Sequence, residues 1–246
     1  MDALRGRDLS ILAWLAGLTP LAAAHAAYLI SASLELAPWC FPHFEGCISV
    51  SRAARQLPAL HLFRALMLLT VVLMLLFWWL SAEWLRLLAP ECRHRRLALL
   101  WLGGIGALFL GLYVTFLGVE GDTYRWLRRY GINVHLSFTV LAQILLTSAL
   151  AGRPDVSATL HRAMVTMCAA MLLLGLLSLP LQFWVSDRDA LLNAIEWSYC
   201  VQMGSFFPVA GLAWRATGFA MRTGITDPGP SLRAIDTCIN NVLFET

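Results

Sequence analysis

The sequence predicts an all-α protein: a polytopic integral membrane bundle of six transmembrane helices with both termini cytoplasmic. Three observations lead there. The chain is 59% hydrophobic and only 13% charged, against about 25% charged in a typical soluble domain, so it cannot cover a water-facing surface. Six stretches each offer the ~20 mostly apolar residues that a membrane helix needs. All 18 basic residues are arginine, and they fall more often in the segments that would face the cytoplasm. A net charge of +3 is too small to point to nucleic acid.

The first span, 10–34, follows Arg5 and Arg7. Within it Leu21–Ala27 offers an Ala-x-Ala pattern of the kind cleaved in signal peptides, but the apolar run continues through Tyr28–Leu34 and a retained span is expected. The remaining spans are 59–81, 97–118, 131–151, 163–185 and 190–214. Gly103, Ala107 and Gly111 recur every fourth residue in the third, a spacing that lets another helix approach closely. Pro20 and Pro180 are expected to kink their helices, since neighbouring groups can satisfy the freed backbone. Trp78, Trp79, Trp84, Trp184 and Trp197 are placed in an interfacial belt. Residues 1–222 form one six-span domain. Residues 223–246, with turn chemistry at Asp227-Pro228-Gly229-Pro230, form a short cytoplasmic tail.

Arginine counts set the orientation. With both termini inside, Arg5, Arg7, Arg86, Arg93, Arg95, Arg96, Arg153, Arg162, Arg215, Arg222 and Arg233 are inner, eleven against the seven outer ones: Arg52, Arg55, Arg64, Arg125, Arg128, Arg129 and Arg188. The long outer segment 35–58 carries Cys40 and Cys47, a disulfide candidate in the compartment where such bonds persist. Cys168 and Cys200 fall in spans, Cys92 and Cys238 on the reducing side. No spacing matches a metal site, and no cofactor is predicted.

Four ionisable side chains then stand out inside apolar helices: His25, Arg64, His135 and Glu196. Charge at the centre of a bilayer costs roughly 2.5–3.5 kcal/mol per residue on insertion scales, so such groups normally face protein and mark a site. All four fall in the outer half of the membrane. His61 shares a helix face with Arg64, and Asn193 with Glu196. In a catalytic reading His135 is a base, Glu196 orients it, and Arg64 holds an anionic headgroup; Glu45 or Ser49 closes the pocket from above. In a binding reading the same groups clamp a phospholipid headgroup without chemistry. Each also has a plain structural explanation: Arg64 snorkels, His135 bonds a backbone carbonyl, Glu196 pairs with Arg64, His25 packs. No Gly-x-Ser-x-Gly motif suggests a serine hydrolase.

Three stretches resemble one known group. Phe41-Pro42-His43-Phe44-Glu45-Gly46-Cys47-Ile48-Ser49, followed by Pro58 and Phe63-Arg64, is similar to a Pro-x-x-Ser loop leading to an arginine near the top of the second span. Val134-His135-Leu136-Ser137-Phe138 looks like a Val-His-x-x-Gly/Ala start of the fourth span. Ile195-Glu196-Trp197, with Phe206 and Phe207, resembles a Glu-Trp/Tyr stretch in the last. In order and spacing these resemble the Frag/DRAM/Sfk family of six-span membrane proteins, which includes eukaryotic factors that remodel the lipid of GPI anchors. Two departures stand: Glu45 occupies the serine position of the loop, and the small residue after His135 is Ser137, one place early. The resemblance implies lipid-related work at the outer or lumenal face.

The functional expectation is a membrane-embedded lipid-binding or lipid-remodelling protein, a hydrolase or acyltransferase being one form of it. The alternatives are a non-catalytic scaffold or accessory protein of a larger complex and, on His61 and His135 as axial ligands, a b-type haem protein. The expected partner is membrane lipid, with a membrane protein or a second copy of the chain left open. The location is the plasma or inner membrane in a bacterium and an endomembrane in a eukaryote.

Overall fold

The computed structural model describes residues 7–181 and 183–221; the tail at 223–246, with Cys238, lies outside them. The chain begins with β1 (Arg7–Asp8) and then α1 (Ser10–Ser33). Two short helices in the long loop follow, α2 (Pro42–Glu45) and α3 (Val50–Ala53). Four long helices come next: α4 (Ala59–Leu88), α5 (Arg93–Phe116), α6 (Asp122–Ala149) and α7 (Ala158–Leu181). α8 (Arg188–Ala216) and β2 (Ala220–Met221) complete the described chain. Five helices, α1, α4, α5, α6 and α7, are long and apolar enough to cross a membrane. α8 has the length, 29 residues, but its polar side chains are spread along it and leave no stretch as apolar as in the other five.

The six long helices close into a ring. Each packs on the next along the chain, and α8 returns to pack on α1. Small residues set the closest seams. α1 turns a buried stripe of Ala13, Ala16, Ala23, Ala24 and Ala27 inward, and at Gly17 an added Cβ would lie 2.3 Å from the Gly204 carbonyl oxygen of α8. On α5, Gly103 lies against the Trp78 indole of α4, and Gly106 against Thr139 of α6. Gly111 of the expected stripe makes only ordinary contact with Val71. The seam between α6 and α7 is the loosest of the ring, and α7 is the least buried of the five apolar helices.

Aromatic side chains fill the ring's middle. Phe77 of α4 stacks on Trp214 of α8 at 5.0 Å and meets Phe207 edge-on at 4.7 Å, in the offset and T-shaped arrangements such rings prefer. The expected tryptophan belt is corrected in three places. Trp78, Trp84 and Trp197 are buried, while Trp79 and Trp184 are exposed. Trp84 donates to Thr217 Oγ1 at 2.9 Å and Trp197 to the Ile48 carbonyl at 2.8 Å, so these indoles spend their polar edge on protein instead of on headgroups. Pro20 and Pro180 lie inside helices that continue past them, as does Pro208 in α8.

At the end of the bundle opposite the long loop, β1 pairs antiparallel with β2, Arg7 facing Met221 and Asp8 facing Ala220. Asp8 also pairs with Arg215 at 3.8 Å.

Candidate functional site

The long loop folds down as a cap over α1 and α8. Cys40 and Cys47 form the expected disulfide. Tyr28 of α1 fastens one end: its hydroxyl donates to the Cys40 carbonyl at 2.8 Å and accepts from the Cys40 N–H at 2.9 Å. Ser31 donates to the Ala53 carbonyl at 2.7 Å. From α8, Asn193 donates to the Gly46 carbonyl at 2.8 Å. Gly46 has φ of 61°, and a Cβ there would fall 1.8 Å from the Ala190 carbonyl oxygen, so both its left-handed backbone and its closeness to α8 require glycine.

Several predicted headgroup ligands turn out to build this cap. Glu45 accepts the Phe41 N–H at 2.6 Å, bracing α2. Ser49 accepts the Arg52 N–H at 3.2 Å as the N-cap of α3. Asn193 is the α8 clasp just described. His61 is exposed in the first turn of α4.

The four ionisable groups, of which His135 is buried and the other three are half-buried, do not line one common cavity. His25 meets His43 of the cap, Nε2 to Nε2 at 3.0 Å, while its Nδ1–H donates to the Leu21 carbonyl at 2.7 Å. Both rings lie edge-on to Trp197. Burial first, and then the neighbouring His25, hold the His43 imidazole below the usual histidine range. Arg64 reaches the end of α5, donating to the Thr115 carbonyl at 3.3 Å and to that of Leu117. Arg128 does the same from α6, on Phe116 at 3.1 Å and on Val119. Two neighbouring helices thus each give an arginine to the α5 C-terminus, whose last carbonyls have no helical partner and whose dipole favours cations.

His135 is buried, and its Nδ1 lies 2.9 Å from the Gly106 carbonyl of α5. That carbonyl fixes the proton on Nδ1, so Glu196 is not its orienter. His135 borders a small internal cavity of about 60 Å³, which His61 does not reach, so the two weighed as haem ligands share no space.

Glu196 faces elsewhere. Where the cap meets the ends of α5, α6, α7 and α8, a cavity of about 920 Å³ opens at the α6–α7 seam. Arg55, Arg125, Arg128 and Arg129 line it, and Glu196 is its one carboxylate among the described residues. Ile132, Leu136, Leu192 and Ile195 supply apolar wall, with Tyr113, Tyr199 and Ser137 among the polar groups. Arg55 and Arg125 both repel Arg128. Arg125 has a surface partner, Asp122 at 3.3 Å; Arg55 and Arg129 have no side-chain partner among the described residues. No salt bridge joins Glu196 to these four arginines.

No protein-family model, curated protein or solved structure matches the chain. The site therefore stands on its own geometry. Its arginines were visible in the sequence only as topology markers. A sharper signal was present: Arg125, Arg128 and Arg129 stand at i, i+3 and i+4, one helix face, and that face continues into Ile132 and Leu136.

Proposed function

We propose that this is a six-span membrane protein whose outer cavity holds the phosphate-bearing headgroup of a membrane lipid, in a binding role and without hydrolysis. The observation that carries the reading is the cavity itself, with four arginines against one carboxylate on an apolar wall. Guanidinium groups fit phosphate bidentately and remain charged when partly buried. Like charges crowded with no anion between them repel, and a bound phosphate relieves that repulsion. The loose α6–α7 seam gives acyl chains a lateral way in, with Ile132 and Leu136 beside it.

α8 is the sixth crossing in this reading. The β1–β2 pairing keeps both described ends on one side of the bundle, as an even number of crossings requires, and the disulfide-bearing cap lies on the opposite, oxidising side. Lipid-related work at the outer face is also what the resemblance to the Frag/DRAM/Sfk family implies. Hydrolysis is less well supported, because His135 carries its proton toward Gly106 and lines a separate small cavity.

Native mass spectrometry of the purified protein tests the reading. The wild type retains phospholipid adducts, and the Arg55→Ala/Arg129→Ala variant, which removes the two arginines without side-chain partners, loses most of them at unchanged thermal stability. Equal lipid occupancy in both proteins refutes it.

A further inference from the structure

Resting on that reading of the cavity, we infer that Glu196 makes it selective for a phosphate ester that also carries a primary ammonium, that is, a phosphoethanolamine headgroup. A site built only for an anion has no use for a carboxylate among its arginines. Glu196 costs anion affinity by repulsion, and it is placed within an apolar-walled cavity where a charge is expensive unless it is matched. Yet none of the four arginines pairs with it, although all of them line the same cavity. The cavity therefore holds positive and negative groups close to one another and unspent on each other. A zwitterion satisfies both at once.

The surroundings of Glu196 agree. Tyr199 stands three residues on and Cys200 four, on the same helix face, and all three line the cavity. Tyr113 of α5 lines the same cavity. Aromatic rings near a carboxylate favour an ammonium, and phenolic oxygens can accept its remaining N–H bonds. Ser51 of the cap lines the same cavity as Glu196. A quaternary ammonium, which has no N–H to give, is bound less well at such a group.

The test titrates delipidated protein in detergent with phosphatidylethanolamine, phosphatidylglycerol and phosphatidylcholine of identical acyl chains, read by native mass spectrometry, for the wild type and Glu196→Gln. Soluble O-phosphoethanolamine is added in a separate arm. The wild type is expected to prefer the ethanolamine lipid over the glycerol lipid by about tenfold, the factor that one charge-assisted hydrogen bond supplies. Glu196→Gln abolishes or reverses that preference, since the glycerol lipid no longer meets a repelling carboxylate. Competition by soluble O-phosphoethanolamine identifies a water-borne source of the same chemistry; its failure to compete identifies the lipid. If the wild type binds all three lipids alike, or Glu196→Gln keeps the preference, the selectivity is refuted and the lipid cavity stands. If no lipid binds the wild type, both fall.

Discussion

A methyl group added at Gly17 has nowhere to go, because the atom it meets, 2.3 Å away, is the Gly204 carbonyl oxygen in the backbone of α8. Gly17→Ala is therefore expected to push α1 from α8 and lower stability by about 1–3 kcal/mol, the usual cost of overpacking. Gly104→Ala, where nothing lies within 4 Å, leaves the melting temperature level or slightly raised; equal melting of the two variants removes the contact argument. The sequence showed the stripe Gly103-Ala107-Gly111, because its four-residue spacing lies in one segment, whereas Gly17 and Gly204 are distant in the chain and form a pattern only once the ring closes. The His25–His43 contact gives a second residue-scale prediction. The cap holds His43 in its neutral form, so this stability is complete above the free histidine value of about 6.5. It is lost as pH falls through the lower value of the folded cap. The groups around it are His25 of α1, the uncharged Trp197 of α8, and Glu45, which is turned back to Phe41. Melting temperature should thus fall below about pH 6, and His43→Gln should flatten that fall; an unchanged slope ends the argument. Which residues were ionisable in the membrane was plain from composition. Their partners were not, because backbone carbonyls such as those of Gly106 and Leu117 satisfy a histidine or an arginine as well as side chains do, and sequence does not show where a carbonyl will lie.

Helix boundaries were legible where lipid sets them and less so where it does not. The first span, 10–34, differs from α1 by one residue. The fourth, expected from 131, belongs to a helix that begins at Asp122, because the stretch from Asp122 to Tyr130 is amphipathic and continues the helix above the apolar run. α4 likewise runs on to Leu88, with Glu83 and Arg86 paired at 2.6 Å one turn apart. The arginine clasp on α5 belongs to this scale. Arg64→Leu removes the donor to the Thr115 and Leu117 carbonyls and is expected to cost about 1–3 kcal/mol, the penalty for carbonyls left unsatisfied away from water. Since Arg64 does not line the large cavity, the same variant keeps its lipid adducts. Loss of lipid without loss of stability would return Arg64 to the site. The disulfide sets the cap in the same way: with a sequence separation of 7, its chain-entropy contribution is about 2–2.5 kcal/mol. Cys40→Ser/Cys47→Ser is expected to lower the melting temperature and to increase hydrogen exchange through residues 35–58 first; uniform exchange over the whole chain would mean the cap is not a separate unit.

At the scale of the whole molecule, everything turns on α8. Its polar side chains are spread along its length instead of gathered at one end as in α6, which is why it falls short of the five that read plainly as membrane-crossing. Its polar groups are spent within the protein. Asn193 holds Gly46, Trp197 holds Ile48, and Glu196 faces the cavity, so a mean over the helix undervalues how well it suits a protein-lined position in the bilayer. Its other face closes the ring against α1 at Gly17, and the strand beyond it pairs with β1. A helix lying flat in the interface could not keep both. Single cysteines at Ser186, before α8, and at Thr217, after it, in a background with Cys92, Cys200 and Cys238 replaced by serine, decide the matter with a membrane-impermeant maleimide. In intact cells or right-side-out vesicles Ser186→Cys is labelled and Thr217→Cys is not; after permeabilisation both react. Labelling of both before permeabilisation, or of neither, leaves five crossings. The two ends then part to opposite sides, the cap loses its clasp on α8, and the cavity between α6, α7 and α8 loses one of its walls together with Glu196.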